Sequence, residues 1–437
     1  MDALIGVVLL DKTDVLEALK HSNVFLTGGA GVGKSYITNE IIEVYKKRQK
    51  QVIPLGSTGV SAVNIGGVTV HSFFVLGIAS TFDELKENDK RSRNRLVELR
   101  KILRATELII IDEISMISSN LMEMIAYRIH NAGYLGKIMF VGDFFQLPPI
   151  VRRQDKEKHT DIFGEKLYAF ESIAWHRFEL FVIELKEMKR TTDREFTHIL
   201  AKVRQGICDD EVIHYMKKLT THTLEEENKT YLYGRNLEVE NNNRLNLNQL
   251  DSEETILFSD TTIFGNINEK KLNSWKNMLP ILDNLTLKEG VPILFTINKW
   301  GKFFNGERGI LKRIEENYLI IEKDEEYIKV EKHDFDLADM KVKEDGTVEM
   351  TTLATVSQFP LKLAYAITIH KSQGMSINSL VCNVDNIFSP SQFYVAISRA
   401  MNPNYLKLEF TKGDLTYYLR RVINVDNRVV EYYKSIS

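Results

Sequence analysis

The stretch Gly28-Gly29-Ala30-Gly31-Val32-Gly33-Lys34-Ser35 fits the pattern G-x-x-x-x-G-K-[ST]. Its glycines let the backbone bend tightly and aim N–H groups inward, as a bound polyphosphate requires. Lys34 suits the β- and γ-phosphates, and the Ser35 hydroxyl suits Mg2+. Further along, Asp112-Glu113 closes the apolar run Leu108-Ile109-Ile110-Ile111. A carboxylate at the end of a buried strand, beside a phosphate loop, is a natural Mg2+ partner, and this is the role expected of Asp112. Glu113 is the natural base to orient and deprotonate an attacking water. Gln146, within Gly142-Asp143-Phe144-Phe145-Gln146-Leu147-Pro148-Pro149, can hydrogen-bond a γ-phosphate without competing for its charge. It can therefore report whether that phosphate is present. This set of residue types points to hydrolysis of a nucleoside triphosphate.

Such residues need a rigid frame. Val24 to Thr27 reads as a buried strand, and Tyr36 to Tyr45 as a helix with apolar Ile37, Ile41, Ile42 and Val44. Strand, glycine loop and helix is the context a phosphate loop needs. Gln51 to Leu55, Leu108 to Ile111, Lys137 to Val141 and Phe181 to Leu185 are further strands. Their alternation with helices through residue 184 predicts a parallel α/β domain with its ligand at the carboxyl edge of the sheet. Residues 237–350 differ, with short β-rich runs at Pro292 to Thr296, Tyr318 to Ile321 and Tyr327 to Val330. The turn signal Asn305-Gly306-Glu307-Arg308-Gly309 lies among them, and a small β-barrel insert is the expectation. From Gln358 the α/β texture returns, with strand Leu380 to Val384 and a helix from Gln392 that ends on Arg399. A second α/β domain with arginines and no phosphate loop suggests a two-lobed ATPase, one lobe delivering cations to the γ-phosphate of the other.

The chain has 437 residues, 43% hydrophobic and 27% charged, enough for two or three domains. A net charge of −3 gives no bulk basic field, so contact with nucleic acid must come from a local groove. Gly66 to Phe74 offers small residues, hydroxyls, His71 and Phe73, which suits either approach to a phosphodiester backbone and a stacked base or a packed loop. Lys86 to Arg104 reads as one helix with a buried leucine face and a basic face, either solvated or nucleic-acid-facing. Cys208 and Cys382 match no metal spacing and read as reduced thiols of a cytoplasmic protein. No segment approaches the length of a membrane span. The short apolar run Leu4 to Leu10 lacks the basic flank of a signal peptide.

In order, the loop Gly28 to Ser35, Thr58-Gly59, Val70-His71-Ser72-Phe73, Asp112-Glu113-Ile114-Ser115-Met116, the Gln146 segment, Arg190, Thr368-Ile369-His370-Lys371-Ser372-Gln373-Gly374 and Tyr394 to Ala400 resemble the Pif-family DNA helicases. These form the RecD-like subclass B of superfamily 1, and the match spans nearly the whole chain. The resemblance implies an α/β fold of two RecA-like P-loop motor domains with parallel sheets. The first would be 1–184, with a wedge insert near 74–95. The second would be 185–236 with 351–437, interrupted at 237–350 by a β-barrel of Src-homology-three type. It implies an ATP- and Mg2+-dependent helicase that moves 5′ to 3′ on single-stranded DNA and unwinds duplex, G-quadruplex or RNA–DNA hybrid. An ATP-driven clamp or protein-displacing translocase is the alternative.

By the same resemblance Gly29, Ala30, Gly31, Val32, Gly33, Lys34, Ser35 and Gly374 would bind nucleotide, and Ser35 and Asp112 the metal. Lys34, Asp112, Glu113, Gln146 and the arginine fingers Arg190 and Arg399 would be catalytic. Thr58, His71, Ser72, Phe73, Asn236, His370 and Lys371 would line the DNA groove. The implied partners are single-stranded DNA and single-to-double-strand junctions, with no membrane, for a chain monomeric without DNA. No glutamine stands at the family's adenine-reading position, since Asp11 to Leu19 contains none.

Overall fold

The computed structural model describes residues 12–77, 79–149, 166–224, 229–299, 301–343 and 348–436. The apolar run Leu4 to Leu10 lies outside them. The chain divides into two compact units, Met1–Glu187 with Leu337–Leu353 and Asn427–Ser437, and Met188–Asp336 with Ala354–Asp426.

The first unit is built on a parallel sheet of strands β1 (Asn23–Gly28), β2 (Val52–Gly56), β3 (Val68–Thr69), β4 (Leu108–Asp112), β5 (Lys137–Val141) and β6 (Leu180–Leu185). Their order is β3-β2-β4-β5-β1-β6, and every pairing is parallel. Leu108 to Ile111 are fully buried, as expected of strands covered on both faces. The helix Lys34–Lys47 buries Ile37, Ile41 and Ile42 against the same core as Leu26, Ile110 and Val141. Because the strands run parallel, the ends of β1, β4 and β5 share one edge. The phosphate loop, Asp112-Glu113 and the Gln146 segment therefore come together although they are separate in the sequence.

The expected single helix over Lys86 to Arg104 is two, Phe82–Arg91 and Arg93–Ala105, broken at Ser92 with φ −117° and ψ 23°. Arg128 ties this segment down. Its Nε donates to the Phe74 carbonyl at 2.9 Å, and its guanidinium pairs with both oxygens of Asp89. Lys86, Lys90 and Lys101 each pair with an acid three residues earlier, so the basic face is partly neutralised by its own helices. That favours the solvated-face reading.

The C-terminal helix Asn427–Ile436 also belongs to the first unit, whereas the expected second lobe ran to 437. The reason is aromatic packing. Tyr432 meets Phe25, Phe144, Phe170 and Trp175 ring to ring, and Trp175 Nε1 donates to its hydroxyl at 3.0 Å.

The chain continues with β7 (Thr230–Tyr233), β8 (Thr255–Phe258), β9 (Asp260–Ile263), β10 (Asn284–Leu287), β11 (Pro292–Phe295), β12 (Arg308–Ile314), β13 (Tyr318–Lys323), β14 (Glu326–Glu331), β15 (His333–Val342), β16 (Val348–Gln358), β17 (Leu361–Leu363), β18 (Ala366–Thr368), β19 (Leu380–Asn383) and β20 (Leu406–Glu409), all in the second unit except the Leu337–Leu353 portions of β15 and β16. A four-stranded parallel sheet has the order β18-β7-β19-β20. A five-stranded antiparallel sheet has the order β14-β13-β12-β11-β17. The Asn305 to Gly309 turn joins β11 to β12, with Gly306 at φ 90°. Strand β17 lies beyond the expected insert boundary at 350. It pairs with β11, whose four residues are all buried and would otherwise form an open edge.

Candidate nucleotide and nucleic-acid sites

The phosphate loop turns on glycines no side chain could replace. Gly28 has φ +137°, and a Cβ there would lie 2.4 Å from the Leu185 carbonyl oxygen. Gly31 and Gly33 also take positive φ, and Gly33 leads into the helix Lys34–Lys47 with no side-chain cap. The helix N-terminus thus keeps its backbone donors and positive dipole end available to an anion. Ala30 and Val32 are buried and anchor the loop, Gly29 and Gly31 are half-buried, and Ser35 is exposed. The Lys34 ammonium donates to the Gly28 and Gly29 carbonyls at 2.7 and 2.8 Å. It is held by the loop it serves.

Asp112 ends β4, and its carboxyl accepts the Glu113 N–H at 2.9 Å. Burial, and then the charge of Glu113, pushes Asp112 up to about 7, with that N–H and Lys34 acting in the opposite sense. Glu113 sits at φ 55° and ψ 51°, a left-handed conformation that costs a non-glycine residue about 1–3 kcal/mol and tends to mark functional sites. Gly142 at the end of β5 lets its loop approach this turn, since a Cβ there would lie 2.9 Å from the Ile114 nitrogen. Gln146 follows on that loop, buried, its N–H donating to the Asp143 carbonyl at 2.9 Å.

In the second unit Arg190 and Arg399 converge. Arg190 Nε donates to Ser376 Oγ at 2.9 Å and Nη1 to the Ser398 carbonyl at 2.6 Å. Burial, and then the charge of Arg399, lowers Arg190 to about 9. Arg399 is 1% exposed and donates to the Val395 carbonyl and Ser398 Oγ, both at 2.9 Å. It is turned into its own unit, where it ties the helix Gln392–Ile397 to the loop carrying Gly374. Gly374 itself is exposed.

The sequence-derived groove residues form one set in each unit. Thr58 and His71 to Phe73 follow the adjacent parallel strands β2 and β3. Thr58 caps the helix Gly59–Asn64 through a reciprocal capping box with Ser61, so its side chain already has a structural task. Phe73 is 7% exposed and packs edge-on against Phe74, a wall rather than an open stacking platform. Ser72 and Phe73 line a cavity of about 280 Å³ with Arg95 and Glu98. Asn236, exposed, follows β7, and His370 and Lys371 follow its parallel neighbour β18. Burial lowers the pKa of His71 and of His370.

A family model described as PIF1-like helicase matches residues 8–213. The ATP-dependent DNA helicase Pif1 of Campylobacter jejuni is 42% identical over 98% of this chain and 97% of its own length. The chain belongs to the PIF1-like helicase family. Its fold is similar to that of Bacteroides sp Pif1 in complex with ADP-AlF4, at TM-score 0.82 and 24% identity over 98% of this chain and 97% of that one. Bacteroides Pif1 bound to ssDNA matches at TM-score 0.68 and 25% identity, with the same coverage. The two parallel sheets are thus those of two RecA-like lobes of a PIF1-like helicase.

Two features of this PIF1-like chain escaped motif reasoning. Phe388, 61% exposed, lies nearly parallel to the His370 ring, with centroids 5.8 Å apart. Its only sequence signal was an aromatic in a Ser-Pro loop. Tyr433 enters the Gln146 loop from the C-terminal helix. The spacing of Val429 and Tyr433 marks a buried helix face but not what it is buried against.

Proposed function

We propose that this ATP-dependent DNA helicase translocates 5′ to 3′ along single-stranded DNA and separates duplex ahead of it. The observation that carries the reading is the shared sheet edge, where the phosphate loop, Asp112-Glu113 and Gln146 meet. Lys34 and the open helix N-terminus bind and orient the phosphates of ATP. Ser35 and Asp112 offer hard oxygen ligands of the kind Mg2+ takes. Among the described residues no cluster of three or more His, Cys, Asp or Glu side chains could hold a metal, which suits a cation completing its shell with phosphate and water. When bound, Mg2+ neutralises charge on the β- and γ-phosphates. A cation there would also favour the ionised Asp112, whose buried carboxyl is otherwise costly to charge.

Glu113 takes the proton of the attacking water, and Gln146 reads the γ-phosphate. Arg190 and Arg399 act as cationic groups of the second lobe. Arg399 is engaged by backbone partners of its own unit, so we assign phosphate contact to Arg190 and support of the loop to Arg399. Gly374 lies on that loop. Single-stranded DNA runs over Thr58, His71, Ser72 and Phe73 in one lobe and Asn236, His370 and Lys371 in the other, with Phe388 as an added stacking surface. The paired helices Phe82–Arg91 and Arg93–Ala105 serve as the wedge, and the sheet β14-β13-β12-β11-β17 as the β-barrel insert. Without DNA the chain is a monomer. Among the described residues no helix is long and apolar enough to cross a membrane.

Duplexes with a 5′ or a 3′ tail, incubated with ATP, test the reading. Strand release from the 5′-tailed substrate alone supports it. Release from the 3′-tailed one overturns the polarity. ATP turnover with no release from either replaces it with the clamp or protein-displacing translocase.

A further inference from the structure

We infer that Tyr433, in the C-terminal helix, is a positioning residue that sets the γ-phosphate-reading loop and joins it to the second unit. The inference rests on the reading of Gln146 given above. The Tyr433 hydroxyl lies 2.7 Å from Thr27 Oγ1, 3.2 Å from the Phe144 nitrogen and 3.3 Å from Asp143 Oδ1. A phenol has one proton to give and can accept two hydrogen bonds. The fully buried Asp143 takes that proton, Phe144 N–H donates, and Thr27 donates in turn. This assignment uses the hydroxyl's whole capacity. The Tyr433 ring also stacks on Phe145, with centroids 4.5 Å apart and planes 18° apart.

Each partner has a place in the nucleotide machinery. Thr27 is the penultimate residue of the strand that runs into the phosphate loop. Asp143 closes the turn before Gln146, its Oδ1 accepting Phe145 N–H at 3.1 Å and its carbonyl accepting Gln146 N–H at 2.9 Å. Phe144 and Phe145 are the two residues between them. One hydroxyl therefore fixes the phosphate-loop strand and the sensor turn against each other. The chain enters this helix from the second unit at Asp426–Asn427. The element that holds the sensor turn is thus covalently continuous with the unit whose movement must be timed to the γ-phosphate. A two-state sensor turn held this way can pass the phosphate's presence to the neighbouring lobe.

Tyr433→Phe in the full chain keeps the ring stack and removes only the hydroxyl. Tyr432→Phe, one residue away, removes the hydroxyl bonded to Trp175 in the aromatic core, keeps the ring contact with Phe144 and leaves the hydrogen bonds of Tyr433 to the sensor turn in place. For Tyr433→Phe, kcat of DNA-stimulated ATP hydrolysis falls on the order of tenfold, with KM for ATP little changed. The difference in single-strand affinity between the ADP-AlF4 and ADP states narrows with it. Tyr432→Phe keeps wild-type kcat. Equal losses in both variants reduce the effect to helix docking and overturn the inference, as does wild-type behaviour of Tyr433→Phe. Gln146→Ala in parallel separates the two readings. If it is inactive while Tyr433→Phe is normal, the positioning role fails alone. If it too is normal, the sensor reading fails.

Discussion

The Arg190 guanidinium donates to the backbone carbonyl of Ser398 at 2.6 Å, beside Arg399 in the chain. Two arginines are thus held in one corner of the second unit, and the charge of Arg399 acts against the charged form of Arg190. An anion beside Arg190 would relieve that repulsion, in keeping with the phosphate contact proposed for Arg190. Arg190→Lys cannot reproduce both the Ser376 and the Ser398 bond, because an ammonium lacks the planar fork. We expect Arg190→Lys and Arg190→Ala alike to lower kcat for ATP by on the order of a hundredfold or more. Steady-state hydrolysis with saturating single-stranded DNA measures it, and wild-type turnover of the lysine variant contradicts it.

Gly28 is the hinge of the phosphate loop. At φ +137°, with the Leu185 oxygen 2.4 Å from where a Cβ would stand, Gly28→Ala must push β1 from β6 or distort the loop. The expected cost is about 1–3 kcal/mol of stability together with weaker ATP binding. Thermal melting with and without nucleotide reads both. An unchanged melting temperature sinks the steric argument.

Arg128 holds the segment that leads into the paired helices. Arg128→Met leaves Asp89 without its bidentate partner and the Phe74 and Val75 carbonyls without their donors. Destabilisation of about 3 kcal/mol is expected. Adding Asp89→Leu recovers only part of this, because the two carbonyls stay unsatisfied. Full recovery in a denaturant titration would show that the ion pair alone matters.

The two histidines proposed for the DNA groove set a pH expectation. Burial lowers His71 and His370, so at a given pH each ring is charged to a smaller extent than an exposed imidazole. As pH falls from about 7.5 to about 6.5 both rings gain less charge than exposed imidazoles would and add little to the grip. The dependence of single-strand affinity on salt should therefore keep one slope across that window. Lys371→Ala should reduce the slope by about 0.7, as for one lost phosphate contact. A steeper slope at the lower pH contradicts the burial argument.

Much of the chemistry was legible before any fold was known. A loop of eight residues binds phosphate through its own backbone, so its residue types suffice to name it. The strand at Leu108 to Ile111 was equally plain, because four buried residues in a row fit only a strand covered on both faces. The break at Ser92 was not legible, since it falls in a polar run without the glycine or proline that would mark it. The capping role of Thr58 was hidden because a hydroxyl before a helix serves a cap or a ligand equally well.

By itself, then, the amino-acid order determined the nucleotide loop, the acidic pair, the alternation of strands and helices and the family. These depend on neighbours within a turn or a strand. Tertiary structure alone decided that Arg399 faces inward, that β17 completes the antiparallel sheet, and that the C-terminal helix returns to the first unit to place Tyr433 on Asp143. Such contacts join residues that stand from 27 to 290 positions apart. They arise because a whole core must bury its aromatic rings and satisfy its polar groups at once, which no local spacing records.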